Sequence, residues 1–182
     1  NHQKRRLGHR NERLASQSMT FHKRHLAGQL PRLGVEKADP GTAIGHTHLK
    51  VSDLERSIAW YRDVIGLDLM QHYGGGAAFM SAGGYHHHLG LNTWSSRGVP
   101  RPAPNATGLF HVAFLYPTRT ALAKALANVL RHGVELTGAA DHGVSEAIYL
   151  DDPDGNGIEL YRDRDPKDWP RDADGELAMM ME

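Results

Sequence analysis

The chain has 182 residues, 21 Lys+Arg balanced by 21 Asp+Glu, 13 histidines and no cysteine. Without cysteine there is no disulfide framework, thiolate metal site or thiol nucleophile, so any metal must be held by His, Asp or Glu. No apolar run reaches the roughly 18 residues of a membrane span and the start lacks a secretory apolar region, so no membrane partner is expected and the expected compartment is the cytoplasm.

Residues 1–42 carry nine Lys/Arg against three acids with almost no apolar period, which predicts a basic, weakly structured arm. Residues 43–165 hold ten bases and thirteen acids, a balance that argues against a nucleic-acid partner. From Thr42 onward short apolar runs are separated by Gly and Pro. A strand is predicted over 45–51, from Gly45 through His46 and His48 to Val51. A helix follows over 52–66, with Ser52 and Glu55 as a capping box, Leu54, Ile58, Tyr61 and Ile65 as its stripe and Gly66 as its left-handed end. Three further strands are expected at 67–73, 77–81 and 86–94.

After a linker at 96–108 the pattern recurs. A strand over 109–115 contains His111. A helix over 118–133 has Thr118 as N-cap, Leu122, Leu126, Val129 and Leu130 as its stripe, and Gly133 at its end. Strands are predicted at 134–137, 147–151 and 157–162. His46 to His111 is 65 residues, Ser52 to Thr118 is 66 and Gly66 to Gly133 is 67. The matching offsets predict two tandem βαβββ modules, at 43–95 and 109–165, followed by an acidic extension at 166–182. The fold class is α+β, with a cupped mixed sheet and the helices outside. Asp152, Asp154 and Asn156 alternate like a calcium loop, but no helix flanks them and position twelve is Asp163, so a tight hairpin turn is expected.

The repeat brings equivalent strands together, and strand alternation puts Ile158 and Leu160 against the helix and Glu159 with Tyr161 in the cup. The same alternation packs Leu89 and Leu91 outward and turns His88, with His86 as a second candidate, inward beside Gly90. His46, His111 and Glu159 then form a two-imidazole, one-carboxylate set suited to Fe(II), with Mn(II), Zn(II) or Ni(II) compatible with the same donors. His48 shares the His46 face as a supporting group, and His72 and His132 are surface residues.

The run Gly45-His46-x-His48-Leu49-x-Val51-x-Asp53-Leu54, with Trp60-Tyr61, Gly66-Leu67, His111 and Asp152-Pro153-Asp154-Gly155-Asn156-x-x-Glu159, resembles the vicinal oxygen chelate superfamily of glyoxalases, bleomycin resistance proteins and extradiol dioxygenases. The resemblance covers about residues 44–165 and implies His46, His111 and Glu159 as metal ligands. Within the superfamily the chain is most similar to two-module type I extradiol ring-cleavage dioxygenases. Tyr149 stands ten residues before Glu159, and His142-Gly143 resembles the family's His-Gly pair, seven rather than nine residues before that Tyr. The run Tyr85-His86-His87-His88-Leu89 resembles the strand bearing the family's acid-base histidine, which makes His88 and His87 candidates for it and leaves the choice open.

The resemblance implies an Fe(II)-dependent dioxygenase acting on a catechol-type aromatic diol and O2. An imidazole would take the second catechol proton, and His142 and Tyr149 would hydrogen-bond the substrate oxygen. The larger relatives have four modules, so a two-module chain is expected to form a homodimer. Two alternatives stand beside this one. A glyoxalase-like isomerase, lyase or transferase would use the same ligands without redox chemistry and with His88 as a fourth ligand. A drug-binding module would need no metal, which the intact His46, His111 and Glu159 argue against.

Overall fold

The computed structural model describes residues 37–103 and 105–180. The expected basic arm therefore lies, up to residue 36, outside the described residues, as do residues 181–182 of the extension. Residues 44–182 make one structural unit.

In chain order the first module contains β1 (Thr47–Lys50), α1 (Leu54–Trp60), β2 (Asp68–Tyr73), β3 (Ala77–Ser81) and β4 (Leu89–Asn92). The second contains β5 (His111–Leu115), α2 (Arg119–Arg131), β6 (Leu136–Asp141), β7 (Ser145–Asp151) and β8 (Gly157–Asp163). Each module folds as a four-stranded mixed sheet, ordered β1-β4-β3-β2 and β5-β8-β7-β6. In both, the first strand runs parallel to the last and the remaining neighbours are antiparallel. The expected βαβββ repeat is met, and among the described residues the sheets are not hydrogen-bonded to each other, which leaves β1 and β5 as edge strands.

The helix boundaries follow local chemistry with one change. Asp53, not Ser52, caps α1, its carboxylate accepting from the Arg56 amide at 3.1 Å. Ser52 is drawn away because its amide and hydroxyl both donate to Asp154, at 3.0 and 2.5 Å. Beyond Trp60 the helix widens into a π-turn over Tyr61–Ile65, which ends on left-handed Gly66 (φ 89°). Thr118 caps α2 as expected, accepting from the Ala121 amide at 3.1 Å. In its stripe Leu122 and Val129 are buried but Leu130 is exposed, because one residue past Val129 turns its side chain about 100° around the helix.

One apolar core runs through both modules. Leu54, Ile58, Tyr61 and Val64 of the first join Leu122, Val129, Leu150, Ile158 and Leu160 of the second. The modules meet through helices and a turn. The Asn128 side-chain amide donates to the carbonyls of Asp63 and Val64 at 2.7 and 2.9 Å, where the π-turn leaves acceptors open. The turn at Asp152–Asn156 connects β7 to β8 as the hairpin expected. Asp152 is buried at its centre and accepts from the Asp154 and Asn156 amides, the Asn156 side chain and, at 2.9 Å, the Tyr61 hydroxyl. Burial and the Asp152 charge push the Tyr61 hydroxyl well above the ordinary tyrosine range, so it remains a donor.

Candidate metal centre and its hydrogen-bonded chain

The second sheet sets one half of the site by register alone. Glu159 lies on β8 directly between Ala113 of β5 and Tyr149 of β7. His111 is two residues before Ala113 and so shares its face, and the small Ala113 leaves room for the imidazole and carboxylate to meet. His111 Nε2 stands 3.0 Å from Glu159 Oε2. Ile158 and Leu160 are fully buried on the opposite face, as the alternation predicts, and Glu159 itself is only 9% exposed.

On its other oxygen, Glu159 Oε1 accepts from the Tyr149 hydroxyl at 3.1 Å, and His142 Nε2 lies 2.8 Å from the same hydroxyl. Four of the predicted site residues thus form one chain: His111, Glu159, Tyr149 and His142. Burial, the Glu159 charge and the bond to Glu159 push the Tyr149 hydroxyl up to about 12, so it stays a phenol and can donate at neutral pH.

The first sheet gathers the remaining histidines. The His46 ring lies 4.5 Å, centroid to centroid, from that of His87, which packs against Phe79 at 4.8 Å. His48 sits over Gly90, where a Cβ would come within 2.9 Å of the ring, between Phe79 and Trp94. Burial, then the nearby His46, lowers the His48 pKa, and burial, then His46, lowers that of His87, so both favour the neutral ring. His72 and His132 are exposed, as expected.

Strand alternation does not extend over the histidine triplet, since β4 begins only at Leu89. His87, not His88, is the member against His46, and His88 is exposed with its Nδ1 held by the Ser81 hydroxyl at 2.9 Å and the Ala82 amide at 3.3 Å. The reason is the turn before β4, where Gly83 and Gly84 both have positive φ (67° and 77°) and strand alternation does not begin until Leu89. His86 is also exposed and touches His87, Nδ1 to Nδ1, at 2.8 Å.

Among the described residues no three His, Asp or Glu side chains gather as a set able to hold a metal ion. His46 therefore does not join His111 and Glu159 within one chain. The pair that is formed does fit a cation: two donors each about 2.1 Å from one ion and cis to each other stand about 3 Å apart. The fit is incomplete at His111 Nδ1, which is buried without a hydrogen-bond partner among the described residues.

Sequence reasoning missed three groups that hold the site: Ser81 under His88, Asp152 under Tyr61, and the main chain of Met180, whose carbonyl lies 3.0 Å from His142 Nδ1. Only Asp152 carried a sequence signal, as the first acid of the turn that repeats the family pattern.

Two four-stranded βαβββ sheets, with a histidine on the first strand of each and a glutamate on the last strand of the second, define a two-module α+β protein of the vicinal-oxygen-chelate kind. Residues 43–160 match the family described as the Glyoxalase/Bleomycin resistance protein/Dioxygenase superfamily, and the chain belongs to that superfamily. It is 43% identical to a catechol-2,3-dioxygenase of Bacillus subtilis (strain 168), over 76% of this chain and 47% of the relative. It is 31% identical to biphenyl-2,3-diol 1,2-dioxygenase 3 of Rhodococcus globerulus, over 66% of this chain and 63% of the relative. The chain thus spans about half to just under two thirds of these curated relatives. Among solved structures it matches a lactoylglutathione lyase from Agrobacterium tumefaciens (24% identity, TM-score 0.53, 68% of this chain, 96% of that one). It also matches a glyoxalase/dioxygenase from Nostoc punctiforme (20% identity, TM-score 0.56, 75% of this chain, 97% of that one). These two likenesses bear on the fold. No helix among the described residues is long and apolar enough to cross a membrane.

Proposed function

We propose that this chain forms the ring-cleaving site of a metal-dependent extradiol dioxygenase, which opens a catechol-type aromatic diol with O2. The observation that carries the reading is the Tyr149 hydroxyl placed between Glu159 Oε1 and His142 Nε2 while Glu159 Oε2 faces His111. It is supported by the similarity to relatives named for catechol and biphenyl-2,3-diol dioxygenation. His46, His111 and Glu159 would hold the divalent cation, Fe(II) in this reading. When bound, Fe(II) supplies open positions for the diol oxygens and O2 and a route for electrons from ring to oxygen. Mn(II), Zn(II) or Ni(II) on the same donors would instead suit an isomerase or transferase.

The chain's own groups perform the acid-base and orienting work. Tyr149, kept protonated, hydrogen-bonds a substrate oxygen as charge builds on it, and His142, 2.8 Å from its hydroxyl, orients that group. Neutral His87, half-buried beside His46, receives the second diol proton; His88, tied to Ser81, is the alternative acceptor. Phe79 and Trp94 offer ring faces beside His48 for an aromatic substrate.

The site is completed by a second copy of the chain. One chain leaves His46 away from the His111–Glu159 pair, both first strands are edge strands, and the residues just before them, Ile44 and Phe110, are 92% and 89% exposed. Pairing the first module of one copy with the second module of its partner would cover these residues and bring the histidines together in two equivalent sites. Anaerobic loading with Fe(II), then oxygen uptake with a panel of catechols, tests the function: a yellow ring-opened product is expected. Stoichiometric metal with no product from any catechol overturns the dioxygenase reading.

A further inference from the structure

We infer that residues 164–180 form a strap that fixes the orientation and tautomer of His142 through the main chain of Met180, which makes Met180 a positioning residue for the site. The effect on turnover rests on the proposed role of His142 and Tyr149; the structural part does not. The Met180 amide donates to the His142 carbonyl at 3.0 Å, and the Met180 carbonyl lies 3.0 Å from His142 Nδ1. A carbonyl only accepts, so Nδ1 must carry a hydrogen. Nε2 of the neutral ring is then an acceptor turned toward the Tyr149 hydroxyl, 2.8 Å away. That hydroxyl has one hydrogen and two acceptors within reach, His142 Nε2 and Glu159 Oε1. The strap therefore keeps His142 Nε2 as a second acceptor beside the Tyr149 hydroxyl.

The strap is a built structure. The Trp169 indole N–H donates to the Arg164 carbonyl at 3.0 Å, and a hairpin turns at Gly175 (φ 83°). Asp172 closes that turn by accepting from the Asp174 and Glu176 amides, and the Ala178 amide donates back to the Pro170 carbonyl at 2.9 Å. Both ends of the hairpin press on Gly143, the residue after His142. A Cβ there would lie 2.8 Å from Pro170 Cγ and 2.9 Å from Met180 Cε, and the backbone has φ 73°. Only glycine lets the strap close on the loop that carries His142.

The test uses the metal-free chain labelled with [15N]histidine. Intact, His142 should show a single tautomer with hydrogen on Nδ1 and slowed exchange of that hydrogen with solvent. Deleting residues 179–182 removes the Met180 carbonyl but keeps the Ala178 bond to Pro170, and should speed the exchange about fivefold and mix the tautomers. An unchanged ring spectrum in the shortened chain overturns the inference. If the shortened chain fails to fold, full-length H142N and H142Q answer the same question. Asn retains a donor where Nδ1 stands and should keep the Met180 amide protected, whereas Gln should let it exchange about fivefold faster. Equal protection in the two variants overturns the inference. A changed His142 ring with no catechol cleavage by any chain would sink the proposed function and leave the strap standing.

Discussion

His111 Nε2 and Glu159 Oε2 lie 3.0 Å apart because β5 and β8 run parallel in a register that places Ala113, two residues after His111, beside Glu159. Two strands of one module thus bring together an imidazole and a carboxylate, the pair proposed to share the cation, with apolar Ile158 and Leu160 fully buried on the other face. Removing the carboxylate should be decisive for the metal. Glu159→Ala is expected to lower Fe(II) affinity by more than about 100-fold, measured by metal content after anaerobic loading and desalting. Full retention of metal would show that the ligand set is wrong.

Because one chain does not gather His46 with His111 and Glu159, two inactive variants should complement each other. Mixing equal amounts of His46→Ala and Glu159→Ala under subunit exchange should restore about a quarter of the wild-type sites, since half the dimers are hybrids with one intact site each. A mixture as inactive as its parts would place the complete site within a single chain.

Tyr149→Phe removes the hydrogen shared by His142 and Glu159 while keeping the ring. It should bind metal within about tenfold of wild type and lose about 10–100-fold in kcat with a catechol, read by oxygen uptake. Unchanged kcat would remove Tyr149 from the chemistry.

The Tyr61–Asp152 bond joins the helix of one module to the turn of the other, and both partners are buried. Tyr61→Phe should cost about 1.5–3 kcal/mol in urea unfolding. Asp152→Ala should cost more, because it also strands the amides of Asp154 and Asn156. Equal, negligible losses would show that the modules are held by apolar contact alone.

Glu146 accepts from Arg162 at 2.8 Å and Arg119 at 3.0 Å, which hold its carboxyl below the ordinary glutamate range. A carboxyl depressed in the folded state stabilises the fold above its unfolded pKa, about 4.3, and that contribution is lost as pH falls through the folded value. Glu146→Gln should therefore lower Tm modestly at pH 7, by about 1 kcal/mol or less in stability, and have no effect near pH 2. A deficit that persists in acid would assign the loss to packing.

Local pattern was enough for most of the architecture. The offsets between His46 and His111, Ser52 and Thr118, and Gly66 and Gly133 reported the repeat, because each marks a local event: a strand start, a helix cap, a left-handed stop. Strand alternation also placed Glu159 correctly against Ile158 and Leu160, since both are bound to one helix-covered face. The same alternation misplaced the histidine triplet, because it was extended into a turn where Gly83 and Gly84 bend the chain. The capping-box pattern in turn misassigned the cap of α1, because Ser52 answers to Asp154, 102 residues away, rather than to its own helix.

By itself, the sequence determined the two βαβββ modules, the absence of any thiolate to hold a metal, and the face on which Glu159 lies. Tertiary structure alone decided which histidine of the triplet meets His46, that Tyr149 bridges His142 to Glu159, and that Met180 returns to hold His142. The division has a physical cause. Periodicity and caps depend on neighbours within a turn or a strand, whereas these contacts are made by groups 7 to 41 residues apart, or through a loop whose path no local rule sets.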